Sequence, residues 1–386
     1  MISKLKIVIK IVIYRFIDFF IKPSKEIKIK SLLLIRLDGI GDYVLFRNFI
    51  EVLKKNNRYR HYSITLLGNS AWKNLSEKLD SEYIDNFIWL DRNKFYNDLF
   101  YRHKKLQELT SNGYEIILSP MYSRDPFITD NVVKLITAKE KIGSIGNLSN
   151  IEKWQKIISD KYYTKLIYAK KELMFEFYRN KEFFEYLLDT KINIIKPTIS
   201  LKNKVSEHKL PEKYAILFVG GSEKHKQWDI ENFAKIGNYL KKQYGYDLVL
   251  CGAQENIEAA NQLQKYYDRK VLNLVGKTSL LELSKIICNG DLIFSNETLA
   301  PHFAAALEMK YIFVIFCGKY YGWFCPYPKE ISKNYHAINH PHINKNWYDH
   351  KKLSKSFGFL KNQDINEISF EQAKSEIDLV LNNVQI

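Results

Sequence analysis

Residues able to do chemistry cluster in this chain just after apolar runs. The first is Asp42, in the segment Ser31 to Lys54, SLLLIRLDGIGDYVLFRNFIEVLK. Its apolar run, Leu32 to Leu37, ends in a loop holding Asp38, Gly39, Gly41 and Asp42. Val44, Leu45, Phe49, Val52 and Leu53 then recur at helical spacing. The pattern predicts a buried parallel strand, a tight turn and a helix, with the turn where ligands bind in open α/β sheets. Asp42 at the helix start is either an N-cap, its charge suiting the dipole, or a carboxylate facing a ligand. The segment allows both. It is a poor dinucleotide fingerprint, because Val44 stands where the third glycine of G-x-G-x-x-G should allow close helix–strand approach.

Three further groups lie in the second half. Gly220, Gly221 and Ser222 precede Lys224, His225, Lys226 and Trp228. Small residues let backbone N–H groups approach a phosphate and nearby lysines neutralise it, although an ordinary charged turn has the same composition. Cys251-Gly252-Ala253-Gln254-Glu255 ends a strand, so Glu255 is either a helix cap or an acceptor for ribose hydroxyls. Phe294-Ser295-Asn296-Glu297-Thr298 ends another and leads into Pro301-His302-Phe303 and an alanine run. That helix start offers free N–H groups, with Thr298 and His302 as further donors to a diphosphate; the plainer alternative is a well-capped buried helix. All three at strand ends of one domain say more than any one alone.

The elements that must position these residues alternate in type. Candidate strands are Leu32 to Leu37, Ser63 to Leu67, Phe87 to Leu90 and Glu115 to Leu118, then Tyr214 to Val219, Asp247 to Cys251, Asp291 to Ser295 and Tyr311 to Phe316. Helical patterns separate them, which is the grammar of a mostly parallel α/β sheet written twice. Ile151 to Leu188 reads as helices. Pro197 to Pro211 reads as an interdomain linker, and Ser369 to Asn383 as a last helix packing back on the first domain. The division expected is a basic amphipathic helix over 1–26, a Rossmann-like domain over 27–196 and the linker over 197–211. A second Rossmann-like domain follows over 212–365, then a C-terminal helix over 366–386.

A chain of 386 residues suits two domains, and 46% hydrophobic with 14% aromatic residues supplies ample core. A net charge of +16 implies a polyanionic partner, or else a lysine bias serving solubility. No nucleic-acid motif with its required spacing is present, so the partner expected is not nucleic acid. Cys251, Cys288, Cys317 and Cys325 are too few for a disulfide framework and read as reduced thiols of a cytoplasmic protein. His336, His340, His342 and His350 lie in a polar loop without zinc-ligand spacing, and no metal is expected. At the N-terminus Lys6, Lys10, Arg15 and Asp18 interrupt an apolar stretch, so it cannot span a bilayer, and no signal-peptide cleavage site follows. On a helix Leu5, Val8, Ile9, Val12, Phe16, Phe19 and Phe20 share one face, opposite Lys4, Arg15, Asp18 and Lys22. Such a helix lies on an anionic membrane surface or packs on the protein's own body.

The blocks RLDGIGDYVL, GGSEKHKQWDIENFAKIG and LVGKTSLLELSKIICNGDLIFSNETLAPHFAAAL resemble family 9 glycosyltransferases, the ADP-heptose:lipopolysaccharide heptosyltransferases and their relatives. The resemblance covers roughly Ile29 to Pro328. It implies a GT-B fold, two Rossmann-like domains facing across a cleft, and inverting, metal-independent transfer from a nucleotide-sugar bound mainly by the second domain. The family's catalytic carboxylate falls on Asp42, and its lysine before the tryptophan on Lys226. Its ribose-side acid falls on Glu255, and its diphosphate element on Glu297, Thr298, Leu299 and His302. Gly221 and Ser222 complete the donor side, and Gly41 and Arg124 are the acceptor-side candidates. Glu297 replaces the usual Asp and Leu299 the usual Gly, which bears on the shape of the phosphate loop and on the nucleotide. The expected substrates are a nucleotide-sugar donor such as ADP-heptose and a lipid-linked glycan acceptor such as a lipopolysaccharide core, with no cofactor. The expected location is peripheral, on the cytoplasmic face of the bacterial inner membrane. The rivals are a non-catalytic polyanion-binding scaffold and a nucleotide-sugar epimerase of the same architecture.

Overall fold

The apolar runs become two six-stranded sheets in which every pairing is parallel. The computed structural model describes residues 2–221, 223–267, 269–346, 349 and 364–382, with side chains of the N-terminal helix from Ile7 onward. The first sheet has β1 (Ile27–Arg36), β2 (Ser63–Asn69), β3 (Asn86–Leu90), β4 (Gly113–Ser119), β5 (Ala138–Ser144) and β6 (Lys165–Ile167), in the order β3-β2-β1-β4-β5-β6. The second has β7 (Tyr214–Phe218), β8 (Asp247–Cys251), β9 (Leu272–Asn273), β10 (Leu292–Asn296), β11 (Tyr311–Phe316) and β12 (Tyr335–Asn339), in the order β12-β11-β10-β7-β8-β9. Both are the doubly wound arrangement. In each, the strand order reverses beside the first strand, at β1/β4 and at β7/β10, and a crevice outside those strand ends is the expected ligand position.

Helices of the first half are α1 (Ile2–Phe19), α2 (Ile40–Phe46), α3 (Asn48–Lys55), α4 (Lys73–Leu79), α5 (Arg92–Asn97), α6 (Leu99–Thr110), α7 (Thr129–Leu135), α8 (Lys153–Asp160) and α9 (Glu176–Leu188). Those of the second are α10 (Ile230–Tyr244), α11 (Ile257–Tyr266), α12 (Leu280–Asn289), α13 (Leu299–Ala306), α14 (Pro341–Asn346) and a C-terminal helix, Phe370–Asn382. The chain divides into two compact units. One comprises Met1–Tyr43, Arg47–Lys171 and Arg179–Ile192, the other Val44–Phe46, Glu172–Tyr178 and Asn193–Ile386.

Local sequence explains the elements. In α10 the Asp229 carboxylate caps the first turn by accepting from Glu231 N–H at 3.1 Å, and Gly245 ends the helix in the left-handed conformation at φ +78°. Phe233, Ala234, Ile236, Gly237 and Leu240 face the sheet, each large apolar side chain contributing roughly 1.5–3 kcal/mol on burial. The central strands read as unbroken apolar runs because helices cover both faces. β5, β6, β9 and β12 were not expected. β5 carries Lys139, Glu140 and Lys141, the next two have only three and two residues, and β12 lies at a sheet edge. β1 starts five residues before its apolar run, with exposed Lys28 and Lys30 and a register break at Lys30, whose φ is +53°.

Two expectations change. The C-terminal helix does not pack on the first unit: Ala373, Ile377 and Leu381 enter the core of the second sheet, and the Trp228 indole donates to Ile368 O at 2.7 Å. The stretch between Pro197 and Pro211 has no helix or strand, but it is tied to the second unit by Ile199 N–H to Ala306 O at 2.9 Å and Glu207 N–H to Glu282 at 2.8 Å.

The N-terminal helix docks on the first unit through a narrow stripe. Tyr14 and Ile21 are buried, and Asp18, expected on the solvent side, is buried too, accepting from Asn131 at 2.8 Å and from Lys134 at 2.9 Å. Its more apolar face, Val8, Ile9, Val12, Phe16, Phe19 and Phe20, is the exposed one. Leu5, Lys4 and Lys6 have side chains outside the described residues. Among the described residues no helix is long and apolar enough to cross a membrane.

Candidate active site

The second unit gathers its chemistry at the β7/β10 switch point. β7 runs into Gly220 and Gly221, and a Cβ on Gly220 would sit 2.5 Å from Asn256 Oδ1, so only glycine lets this loop pass so close to the β8 turn. The Gly221 carbonyl accepts from the Gln227 side chain at 2.9 Å. Ser222 lies outside the described residues. A 3-10 turn, Lys224–Lys226, then brings Lys226 inward. From the other side β10 ends at Asn296, whose amide spans both strands. It donates to Val219 O at 3.1 Å and Gly220 O at 3.2 Å and accepts from Trp228 N–H at 3.1 Å. Asn296 was quoted in the motif without a role, and its position at a strand end was the available signal.

Lys226 and Glu297 meet in this setting. Their charged atoms are 3.3 Å apart and both side chains are buried. Burial works against the Lys226 charge, but the Glu297 carboxylate outweighs it and holds the ammonium above its ordinary range. Burial raises Glu297, with Lys226 as the opposing influence. The Tyr320 ring lies 5.4 Å from the ammonium. Outside this pair, Glu223 forms an ion pair with Lys319.

Thr298 caps α13, its hydroxyl accepting from Ala300 N–H at 3.4 Å. Leu299 is simply the first residue of that helix and has no left-handed backbone, so nothing here requires the family's glycine. His302, one turn on, is buried, its Nδ1 2.8 Å from the Tyr327 hydroxyl. Burial, then the Lys226 charge, pushes its pKa down to about 4. It is a neutral imidazole at physiological pH, able to hydrogen-bond but not to add charge. Tyr327 lies too far along the chain for any sequence pattern to have paired it with His302. Glu255 sits exposed in the turn after β8, away from the buried pair's enclosure.

In the first unit Asp42 is half-buried at the third position of α2, and its Oδ2 accepts from Gly39 N–H at 3.1 Å. The loop around it is braced. The Trp72 indole and Asn69 side chain donate to Asp38 O, at 3.2 and 3.1 Å, and buried Arg36 pairs with Asp38 at 2.8 Å. Gly41 lies within the same first turn of α2. Arg124 does not belong with them. Fully buried, it pairs with Asp130 at 2.9 Å and with Asp160 at 2.6 Å, donates to Ser159 and lies 4.6 Å from the Tyr163 ring. Its guanidinium is committed to holding α7 and α8 together and has no edge left for a sugar.

The profile of glycosyltransferase family 9 (heptosyltransferase) matches residues 102–336, well over half of the chain. The chain belongs to glycosyltransferase family 9. Family membership makes it a glycosyltransferase, not an epimerase or a scaffold, and the matched span includes Lys226, Glu255, Glu297, Thr298 and His302 while Asp42 lies upstream of it. No curated protein sequence matches it. Solved structures of similar fold include a family 9 glycosyltransferase from Veillonella parvula, with 18% identity, TM-score 0.65, and coverage of 93% of this chain and 99% of that one. The E. coli heptosyltransferase WaaC, solved with ADP-2-deoxy-2-fluoro heptose, aligns with 14% identity and TM-score 0.63 over 90% of this chain and 99% of that one. E. coli ADP-heptose lipopolysaccharide heptosyltransferase II aligns with 15% identity and TM-score 0.58 over 92% and 100%. These share with the family 9 chain its GT-B architecture of two Rossmann-like units.

Proposed function

We propose that the protein transfers heptose or a similar sugar from a nucleoside-diphosphate donor to a lipid-linked bacterial glycan such as a lipopolysaccharide core, with inversion and without a metal or other cofactor. The observation carrying this reading is the β7/β10 switch point, where Asn296 ties the Gly220 loop and the Trp228 backbone to the end of β10, beside the Lys226–Glu297 pair and the Thr298-capped start of α13. In this reading a diphosphate meets the Lys226 ammonium and the positive end of the α13 dipole, the combination that binds anions. In this reading Glu255, exposed after β8, accepts from the ribose hydroxyls.

In the proposed reaction the Asp42 carboxylate takes the proton of the acceptor hydroxyl as its oxygen attacks the anomeric carbon. The bond from that carbon to the diphosphate oxygen breaks on the opposite face, and its electron pair leaves with the nucleoside diphosphate. Lys226 and the α13 amides stabilise that developing charge, and His302 contributes a neutral hydrogen bond. A lipid-linked acceptor confines the reaction to a membrane surface, and the exposed apolar face of α1 with a net charge of +16 supports peripheral residence on its cytoplasmic side.

The test is calorimetry and turnover with a panel of nucleotide-sugars. Lys226→Ala is expected to weaken nucleoside-diphosphate binding by about ten-fold or more, the worth of one charge-assisted hydrogen bond, and to leave the nucleoside alone unaffected. Equal diphosphate affinity in wild type and variant would remove the crevice from the donor site.

A further inference from the structure

Within the first unit, α1 and α8 border an open groove, with about 80 Å³ of enclosed space, that the transfer reaction does not use. Ile11 and Arg15 line one side, Trp154 and Ile158 the other, with Phe127 and Arg102 deeper. The floor is cationic. Arg102 is fully buried, yet its partners are neutral: Phe127 O at 3.0 Å, Phe95 O at 3.4 Å, Asn131 Oδ1 at 2.6 Å and the Tyr14 ring at 3.6 Å. Its Nε has no hydrogen-bond partner, and among the described residues no carboxylate stands within ion-pair distance of it. Beside it Asp18 is already neutralised by Lys134, although its Oδ1 lacks a partner. The excess charge therefore belongs to Arg102 and to Arg15 at the rim. The Asp18 and Asp125 carboxylates act on Arg102 only from beyond ion-pair distance, and Asp125 is paired with Arg92. A buried cation without an ion pair of its own is costly, a cost that an anion entering the groove relieves.

The surroundings say what kind of anion fits. At about 100° per residue, Ile11 and Arg15 fall on the flank of α1 between its docked stripe and its exposed apolar face. Val12 is 61% exposed, Phe16 66% and Phe19 81%. Across the groove Trp154 and Ile157 of α8 are 47% and 56% exposed, with Lys153, Lys156 and Lys161 close by in sequence. Apolar surface thus flanks a cationic floor on two sides. A free phosphate satisfies the floor and leaves those flanks in water.

We propose that the groove seats the phosphate-bearing headgroup of an anionic membrane phospholipid, whose acyl chains run out between the exposed faces of α1 and α8. The proposal rests on the reading that the enzyme works at a membrane and adds to it a specific lipid site. It orients the first unit on the bilayer with α1 and α8 both at the surface.

The full chain is titrated with dihexanoyl phosphatidylglycerol below its micelle concentration, with dihexanoyl phosphatidylcholine and with inorganic phosphate. Indole fluorescence is compared with that of Trp154→Phe to isolate Trp154, and vesicle co-sedimentation is run in parallel. Dissolved phosphatidylglycerol is expected to bind saturably. Arg15→Gln and Arg102→Gln should each weaken that binding about five-fold or more, with Arg15→Gln, on an exposed side chain, deciding the matter if Arg102→Gln melts early. Phosphatidylcholine and phosphate should bind at least about ten-fold more weakly. Saturation by phosphate at the same concentration makes this a free-anion site and overturns the proposal, as do equal affinities in wild type and Arg15→Gln. So does a lipid-independent dimer abolished by Trp154→Ala, which assigns the surface to a second copy. Vesicle binding without dissolved-lipid binding overturns the groove alone, whereas wild-type protein that ignores anionic vesicles overturns the membrane reading beneath it.

Discussion

Asp42 and His302 show how much one residue's surroundings constrain its chemistry. The Asp42 carboxylate already accepts the Gly39 N–H, so a cap and a base are superimposed on one side chain. Asparagine separates them, because its carbonyl oxygen keeps the cap while the basicity is lost. Asp42→Asn is expected to lower kcat by about two to four orders of magnitude, with the melting temperature and donor Kd nearly unchanged. Turnover close to wild type would leave Asp42 a cap and nothing more. His302 is the opposite case, a residue its motif offers as a donor and whose burial keeps it from carrying charge. Its pKa in the fold is about 4 against an ordinary 6.5, so the unfolded chain binds the extra proton first as pH falls. Its contribution is therefore complete above pH 6.5 and lost progressively toward pH 4, on the order of 3 kcal/mol in all. Thermal melts between pH 7 and 4 should steepen for wild type relative to His302→Gln, and donor affinity should show no titration between pH 6 and 8 attributable to this residue. A donor Kd that follows a group near 6.5 and loses that dependence in His302→Gln would contradict the neutral imidazole.

At the scale of elements, the second site is a property of two strand ends held together. Asn296 supplies three hydrogen bonds from the end of β10 to Val219, Gly220 and Trp228 and has no solvent exposure. Asn296→Ala leaves two carbonyls and one N–H to find other partners, at about 1–3 kcal/mol for each group that stays buried and unpaired. The expected outcome is a lower denaturation midpoint together with weakened nucleoside-diphosphate binding, read by urea denaturation and calorimetry on the same protein. Weakened stability with donor affinity intact would mean the Gly220–Gly221 loop holds its shape without the latch. Much of this was visible in the order of residues: strand, small residues, lysines, and Pro301 with an alanine run are local signatures. The pairing of Lys226 with Glu297, and the latch across β7 and β10, were not, because those partners lie about seventy residues apart and meet only through a parallel pairing of strands.

For the molecule as a whole, the charge of +16 and the apolar face of α1 bear on where it resides. Because α1 also carries Tyr14 and Asp18 into the first unit, deleting the helix would damage the fold and test nothing cleanly. The triple substitution Val12→Ser, Phe16→Ser, Phe19→Ser touches only exposed side chains. It is expected to abolish co-sedimentation with anionic vesicles while preserving the melting temperature and transfer to a soluble, delipidated acceptor. Wild-type binding should fall as salt rises, since surface charges are screened over about 8 Å at physiological ionic strength. Undiminished sedimentation of the variant would remove α1 as the anchor.

The sequence by itself determined what depends on neighbours along the chain: the βα alternation, its repetition in the second half, the glycine-rich strand ends and the family they belong to. Hydrophobic period and turn chemistry are local, so they survive without a structure. The tertiary structure decided which partner each polar group took. Arg124 looked like an acceptor-side cation and is a buried tie between α7 and α8. The C-terminal helix chose the second sheet, and strands too short or too charged to read joined both sheets. The N-terminal helix buried the stripe that includes Asp18 and left its richer apolar face outside, since a carboxylate with Asn131 and Lys134 waiting is better satisfied inside than in a helical-wheel drawing. Burial and pairing are set by what the fold brings alongside, and no periodicity in the chain records that.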